Sequence, residues 1–396
     1  MFAASSQSAL TIACLINQFP VLSETFIGVQ IRALERLGHH VVPIAFVRPD
    51  GPAQPQDNKI AAKTWYLSEE YVGSALEGGV TAIDRWSKAM AFVCDQKTIS
   101  RRSIIYHGLR LASLLRRERV DHLQVQFAWG GLAYGIFAAK LAGCSVSFVG
   151  HGADIYLAPA DLPAKLNHVD IAFASCTTMA EDFRRMAPEA RIEQIAMGIE
   201  LDRLPVAKVD LLAGSDFLFV GRLVEKKGLD VLLDALSSLS AEIRPALDIV
   251  GDGPLRPRLE AHIAREGLED KVRLLGARDS AWIFSHLPSY HAVVVPCVLA
   301  ADGDRDTGPL IAKEAMALGV PVIASDFMGL ADIVDASCGI SVATASSEAL
   351  AAALAEARAW SPERRRELGL GGRQRIETFF TADAQARLIA DAIASS

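Results

Sequence analysis

The chain offers no cysteine pairing pattern. Its six cysteines are scattered, none in a C-x-x-C spacing, and most have apolar neighbours, so they read as reduced core residues of a cytosolic protein. A leader is missing from the expected picture too: no basic stretch precedes the first apolar run, and Asn17, Gln18 and Pro20 break that run short of a signal or membrane span. A cytoplasmic location follows, with peripheral contact at the inner face of a membrane left open. Positive charge is in deficit, with a net charge of −7, which argues against a general nucleic-acid binder. There is no internal repeat, no low-complexity tract and no compelling Ser-His-Asp or Cys-His arrangement. What the chain does have is apolar material, 51% of its residues, which excludes a disordered or fibrous protein. Its 396 residues suggest two or three domains.

Ten short apolar runs alternate with segments of helical period. TIACLI, HVVPIAF, LQVQFAW, VSFVG and IAFAS form one group, and FLFVG, LDIVG, VRLLG, AVVVP and PVIAS a second. Strands alternating with helices imply parallel sheets covered on both faces. The expected fold is α/β: two doubly wound, Rossmann-like domains facing a central cleft, at residues 1–197 and 215–375. A linker at 198–214 contains Gly198, Pro205 and Gly214, and a C-terminal helix at 376–396 is expected to return to the first domain. The first helix illustrates the pattern. Ser23 can cap it, Ile27, Ile31, Leu34 and Leu37 share a face, and Gly38 closes it. In such sheets ligands sit beyond the carboxyl ends of the strands, so the residues just after each strand deserve inspection.

The segment DGDRDTGPLIAKEAMALGVP, Asp302 to Pro321, is the most informative. It predicts a short helix capped by Thr307 or Gly308, with Pro309 in its first turn, and stopped by Gly319 and Pro321. The start of that helix, near Gly308, Pro309 and Leu310, offers unpaired N–H groups and a positive dipole end suited to phosphate. Asp306 before it and Glu314 within it can accept hydrogen bonds from the hydroxyls of one extended ligand, with sugar at one end and ribose at the other. A calcium loop fits poorly, because Thr307 and Lys313 stand where that loop needs Gly and Glu. An acidic surface loop is the plain alternative.

Upstream, FLFVG runs into GRLVEKKG, placing Arg222 past a strand end and Lys227 before Gly228, two cations able to hold a diphosphate. The next strand ends in GDGP, where Gly251 and Gly253 permit either a close ligand approach or a tight structural turn. Arg256 in place of a third glycine rules out a dinucleotide fingerprint. In the first half, VSFVG leads into HGADIY, setting His151 and Asp154 at a strand end, either as site residues or as a hydrogen-bonded His and a turn cap.

Together these motifs resemble glycosyltransferase family 4 (group 1), retaining enzymes of the GT-B fold. The G-R-x-x-x-x-K-G run, the acidic pair and the EAMA helix carry the likeness. LSETFI, HGADIY and ADGDRD are most similar to exopolysaccharide and colanic-acid-type members. The resemblance implies that Arg222 and Lys227 bind the donor diphosphate, Asp306 holds sugar hydroxyls, Glu314 holds the ribose and His151 contacts the sugar beside the reacting carbon. His151, Asp306, Arg222 and Lys227 are thus the catalytic candidates, and Glu24, Thr25 and Asp154 the acceptor-side ones. Asp306 is one methylene shorter than the family's usual Glu. The implied reaction moves a hexosyl unit from a nucleoside diphosphate sugar, expected to be a UDP-sugar, to a glycan or lipid-linked saccharide, without metal or cofactor. A small soluble acceptor and a non-catalytic nucleotide-sugar binder are the alternatives.

One stretch opposes the overall charge. Residues 85–119 hold nine basic side chains against Asp95 and Glu118, with Trp86, Phe92 and Tyr106 among them. Such a surface suits anionic lipid, whereas a solvated helix face is the simpler reading.

Overall fold

A computed structural model describes residues 9–21, 24–51, 54–69, 83–204 and 216–395. The chain divides into two compact units, one of residues 1–198 and 382–396 and the other of residues 199–381. Of the linker expected at 198–214, residues 205–214, with Pro205 and Gly214, lie outside the described residues, as does Ser23, the expected cap of the first helix.

The first unit holds seven parallel strands in the order β3-β2-β1-β4-β5-β6-β7. These are β1 (Thr11–Gln18), β2 (His40–Val47), β3 (Trp65–Tyr66), β4 (His122–Gln126), β5 (Ser145–Gly150), β6 (Ile171–Ala174) and β7 (Ile192–Gln194). The second unit holds six, ordered β10-β9-β8-β11-β12-β13: β8 (Phe217–Val220), β9 (Leu247–Val250), β10 (Val272–Gly276), β11 (Ala292–Val295), β12 (Val322–Ser325) and β13 (Gly339–Val342). All ten expected runs are strands. The three the sequence reading missed, β3, β7 and β13, lie at sheet edges, where partial exposure dilutes the apolar run that marks a buried strand.

Each sheet reverses its strand order once, between β1 and β4 in the first unit and between β8 and β11 in the second. Connections leave those neighbouring strands toward opposite sides, which opens a crevice at their carboxyl ends. The helix Thr25–Arg36 buries Ile27, Ile31 and Leu34 against the first sheet, and Gly38 closes it at φ 92°. The helix Ala382–Ala394 packs Ala386, Ile389 and Ile393 into the same core, and Asp383 pairs with Arg36 at 2.8 Å. That C-terminal segment begins six residues later than the sequence boundary at 376, because the helix Pro362–Phe379 continues in the second unit. In the second unit Phe217, Phe219, Leu247, Ile249, Leu232 and Leu236 anchor the core. Four of the six cysteines are buried; Cys94 is exposed and Cys144 half-buried, so the all-core reading fails for these two, and all six are free thiols.

Candidate active site

In the second unit the loops that follow β8, β9 and β11 are fastened to one another at the switch point. Leu223 N donates to Asp252 O at 2.9 Å, Leu255 N to Leu223 O at 3.1 Å, and Val298 N to Lys226 O at 2.9 Å. Glycine makes this approach possible. A Cβ on Gly251 would stand 1.8 Å from Gly221 O, one on Gly253 2.5 Å from Leu223 O, and one on Gly228 1.9 Å from Pro296 O. Gly251 and Gly253 therefore serve loop packing, the structural alternative for GDGP, while Gly228, at φ 68°, brings the β8 loop onto the β11 loop.

That contact sets Lys227 beside Asp306, Nζ to Oδ2 at 2.6 Å. Burial penalises the charge on both, but each opposes that penalty in the other: the Lys227 ammonium stays above its ordinary value and the Asp306 carboxyl below its own. Lys226 pairs with Asp304 at 3.0 Å, and Glu225 accepts from Ala301 N at 2.9 Å, so the acidic loop is pinned along its length. Asp302 is used internally, accepting from Asp304 N at 2.9 Å. Among the described residues no cluster of three or more His, Cys, Asp or Glu side chains is arranged to hold a metal ion.

The helix after this loop spans Leu310–Ala317 and starts one residue later than expected. Pro309 stands at the cap rather than in the first turn, and no side-chain hydrogen bond caps the helix. Thr307 is instead buried, its carbonyl packed where a Cβ on Gly329 would fall 2.1 Å away. Gly308 N donates to Asp306 Oδ1 at 3.3 Å. The N–H groups of Leu310 and Ile311 begin the helix with no carbonyl one turn back. Glu314, half-buried, makes no side-chain hydrogen bond among the described residues, and burial pushes its carboxyl up to about 7. Arg222, past β8, is exposed. The second unit thus sets Arg222, Lys227, Gly251, Gly253, Asp306, Gly308, Pro309 and Leu310 in the segments that follow β8, β9 and β11, with Glu314 one turn into the helix Leu310–Ala317. Two cations, two helix-start amides and a carboxylate without a partner suit an anionic ligand that carries hydroxyls.

The first unit has its own cluster at the ends of β1, β4 and β5. His151 follows β5 with its ring between Phe26 and Phe127, centroids 4.6 and 4.4 Å away. Burial lowers its pKa to about 3, so the ring is neutral. Glu24 precedes the helix Thr25–Arg36 without capping it, and burial raises its carboxyl to about 7. Thr25 opens that helix, one residue before Phe26. Asp154 departs from its acceptor-side role because it has no exposed surface. Its oxygens accept from Ala128 N at 2.7 Å and His151 N at 3.0 Å. Lys165, equally buried, donates to Ala128 O at 2.6 Å. The two charged groups therefore grip opposite sides of Ala128, and they hold Phe127 in a left-handed conformation at φ 73° with Trp129 stacked on it at 4.8 Å. Burial raises Asp154 to about 6 and lowers Lys165 to about 8.

Sequence reading missed Lys165 and three buried glutamines. Gln124 and Gln126 alternate on one face of β4, and Gln30 meets them from the helix above. Two glutamines inside an otherwise apolar strand were the available signal, since buried amides must find partners.

The basic segment is less of a surface than its charge suggested. Arg110 is buried and donates to Leu67 O, Arg85 donates to Ala142 O at 2.9 Å and Arg116 to Leu141 O at 2.7 Å. Arg117 lies over the Trp65 ring at 4.4 Å and Phe92 is in the core. Lys88, Lys97, Arg101, Arg102, Arg117 and Arg119 remain exposed, with Tyr106 42% exposed among them. No helix among the described residues is long and apolar enough to cross a membrane.

Comparison with known proteins shows what the chain is similar to. Residues 214–358 match the model for glycosyl transferases group 1. The chain is 27% identical over 375 residues to WcaL of Salmonella typhimurium, named for colanic acid biosynthesis as a glycosyltransferase, covering 88% of this chain and 90% of that one. It is 29% identical over 342 residues to the amylovoran biosynthesis glycosyltransferase AmsK of Erwinia amylovora, covering 80% and 83%. Among solved structures, HepE of Anabaena in complex with UDP superposes with a TM-score of 0.73 at 16% identity, over 98% of this chain and 100% of that one. The fold is GT-B.

Proposed function

We propose that this chain, which carries a group 1 glycosyl transferase domain, transfers a hexosyl unit with retention from a nucleoside diphosphate sugar to a hydroxyl of a glycan or lipid-linked saccharide in exopolysaccharide assembly. The supporting observation is the constellation at the β8/β11 switch point: Arg222, the Lys227–Asp306 pair, the amides of Leu310 and Ile311, and Glu314 without a partner. WcaL and AmsK support the acceptor class by their names, and UDP bound to HepE supports a UDP-sugar as donor.

As the bond from the anomeric carbon to the diphosphate breaks, negative charge grows on the leaving oxygens and positive charge on the sugar. Arg222, Lys227 and the two helix-start amides are placed to stabilise that leaving charge, and loss of one such donor is worth roughly 10²–10³ in rate. The acceptor oxygen bonds to the anomeric carbon on the face the diphosphate leaves, and its proton passes to a diphosphate oxygen. No protein nucleophile enters. Asp306 acts by orienting the sugar, and charge on the leaving group is met by side chains rather than by a metal ion. The exposed cations Arg101, Arg102, Lys88 and Lys97 would hold the enzyme at an anionic membrane surface, where a lipid-linked acceptor resides.

The test is to incubate the protein and a UDP-sugar with lipid-linked oligosaccharides, in the presence of a chelator, and to read the anomeric coupling of the product by NMR. A product with the donor's anomeric configuration supports the proposal. Inversion, or a requirement for divalent metal, overturns the corresponding part of it.

A further inference from the structure

At the amino ends of β11 and β12, away from the switch-point loops, the second unit has a pocket that the transfer step does not use. Three segments wall it: residues 288–291 before β11, residues 318–321 before β12, and Pro362, Arg365 and Arg366 from the first turns of the helix Pro362–Phe379. Its empty space is about 410 Å³, the open mouth included. The helix Leu310–Ala317 starts at the switch point and ends at this pocket, so its eight residues set the two about 12 Å apart at 1.5 Å per residue.

The cations of this pocket are unmatched. Arg365 is half-buried and Arg366 exposed, and neither side chain makes a hydrogen bond or a salt bridge among the described residues. Arg365 Nε is sealed from water without an acceptor, a cost that a solvated arginine avoids. The terminal amino groups of the same guanidinium are not sealed, and the side chain lines the pocket. His291 Nδ1 is also sealed and lies 3.7 Å from Asp216 Oδ1, beyond hydrogen-bond reach. Burial, with Arg365 and Arg358 nearby, holds this imidazole below its ordinary value against the opposing pull of Asp216.

The carboxylates around the pocket are committed elsewhere. Asp216 accepts from Ala246 N at 2.9 Å and lies 3.6 Å from Arg358 Nε, Glu367 pairs with Arg364 at 2.7 Å, and Glu363, which interacts with Arg366, is hydrogen-bonded to Ser361. The negative end of the helix Leu310–Ala317 faces the same way, but its last carbonyls are taken. Ala315 O accepts from Val320 N at 2.9 Å, Met316 O from Gly319 N at 3.0 Å and Ala317 O from Arg373 Nη1 at 2.6 Å. No acceptor within the unit is left to answer Arg365.

We propose that this pocket binds a phosphate group, gripped by Arg365 and Arg366 with His291 at its side. A tetrahedral phosphate presents oxygens in several directions at once, which suits two guanidinium groups and an imidazole converging from separate segments, whereas a carboxylate presents two in one plane. Pro288, Val320 and Pro321 give the pocket an apolar wall, against which charge-assisted hydrogen bonds are stronger than in open water. The site does not depend on the transferase reading.

The test titrates inorganic phosphate into the full chain carrying Arg222→Ala, which weakens any binding at the switch point. Calorimetry reads affinity, and a 1H–15N spectrum of the labelled histidines, with His291→Gln supplying the assignment, reads the place. Saturable binding is expected, with the His291 pKa rising because a nearby anion favours the imidazolium. Arg365→Gln and Arg366→Gln, each added to that background, should weaken binding roughly ten- to hundredfold, the worth of a hydrogen bond to a charged group. Arg366 is exposed, so its variant guards against misfolding of the other. Glycerol 1-phosphate in a parallel titration identifies the source: tighter binding of the ester assigns the site to the end of a phosphate monoester, and tighter binding of inorganic phosphate to the free ion, with either supporting the site if the arginine variants lose it. No saturable binding, an unmoved His291, affinity unchanged in both arginine variants, or chloride displacing phosphate at matched ionic strength overturns the proposal.

Discussion

Replacing Asp154 by Ala strips the acceptor from two buried N–H groups, those of Ala128 and His151, and removes one of the two carboxylates, with Asp161, that favour the buried Lys165 ammonium. Each orphaned buried donor costs about 1–3 kcal/mol, and the Lys165 ammonium loses the favourable influence of a nearby carboxylate. These costs overlap. Lys165, already lowered to about 8 by burial, can shed its proton, and release of Ala128 lets Phe127 leave its left-handed conformation and recover about 1–2 kcal/mol. The net loss should be about 3 kcal/mol for the first unit. Asp154→Asn, which keeps one acceptor and turns an N–H toward the other donor, should lose less. Urea unfolding gives the total, and hydrogen exchange of the peptides around Phe127–Trp129 and His151 tells whether the loss is local. An Ala variant within about 0.5 kcal/mol of wild type, the range of ordinary surface substitutions, with unchanged exchange at those peptides, would refute the clamp.

Three other outcomes follow from the same geometry. Burial raises the Glu314 carboxyl to about 7, so if its carboxylate accepts ligand hydroxyls, donor affinity should climb as pH rises through about 7 and lose that dependence in Glu314→Gln, as read by calorimetry across pH. His122 and His151 are pushed down to about 3 by burial, below their unfolded value, so the unfolded chain binds more protons between the two values. The stability they contribute is complete above about 6.5 and is lost as pH falls toward 3, with Asp154, raised to about 6, offsetting part of the fall; urea midpoints that stay flat from pH 7 to 4 would contradict this. At the surface, reversing Arg101 and Arg102 to Glu should weaken sedimentation with anionic vesicles by at least tenfold, at about 1 kcal/mol per basic group removed, and equal binding to zwitterionic vesicles would remove the electrostatic explanation.

Most of the fold was legible because its strands are buried on both faces: runs such as AVVVP and IAFAS have no other stable setting than a covered parallel sheet. The switch-point loops were legible for a related reason, since Gly228, Gly251 and Gly253 mark places where backbones nearly touch. What those glycines approach was not readable, and it proved to be neighbouring loops. Pairings between residues far apart in sequence were also hidden. Nothing in the order of residues says that Lys227 meets Asp306, or that Asp154 and Lys165 close on Ala128 from opposite sides. The basic segment misled because charge was counted without direction: Arg85, Arg110 and Arg116 turn inward to cap carbonyls, a use of guanidinium that composition cannot distinguish from a solvated face.

Under the proposed function, the β8/β11 switch point binds a nucleoside diphosphate sugar through Arg222, Lys227 and Glu314. Calorimetry with UDP-, GDP-, ADP- and dTDP-sugars on wild type, Arg222→Ala and Glu314→Ala tests it most directly. The predicted result is saturable binding of one donor class by wild type, lost or severely weakened in both variants while each remains folded. Binding of none of the four by wild type, or equal binding by all three proteins, would contradict it.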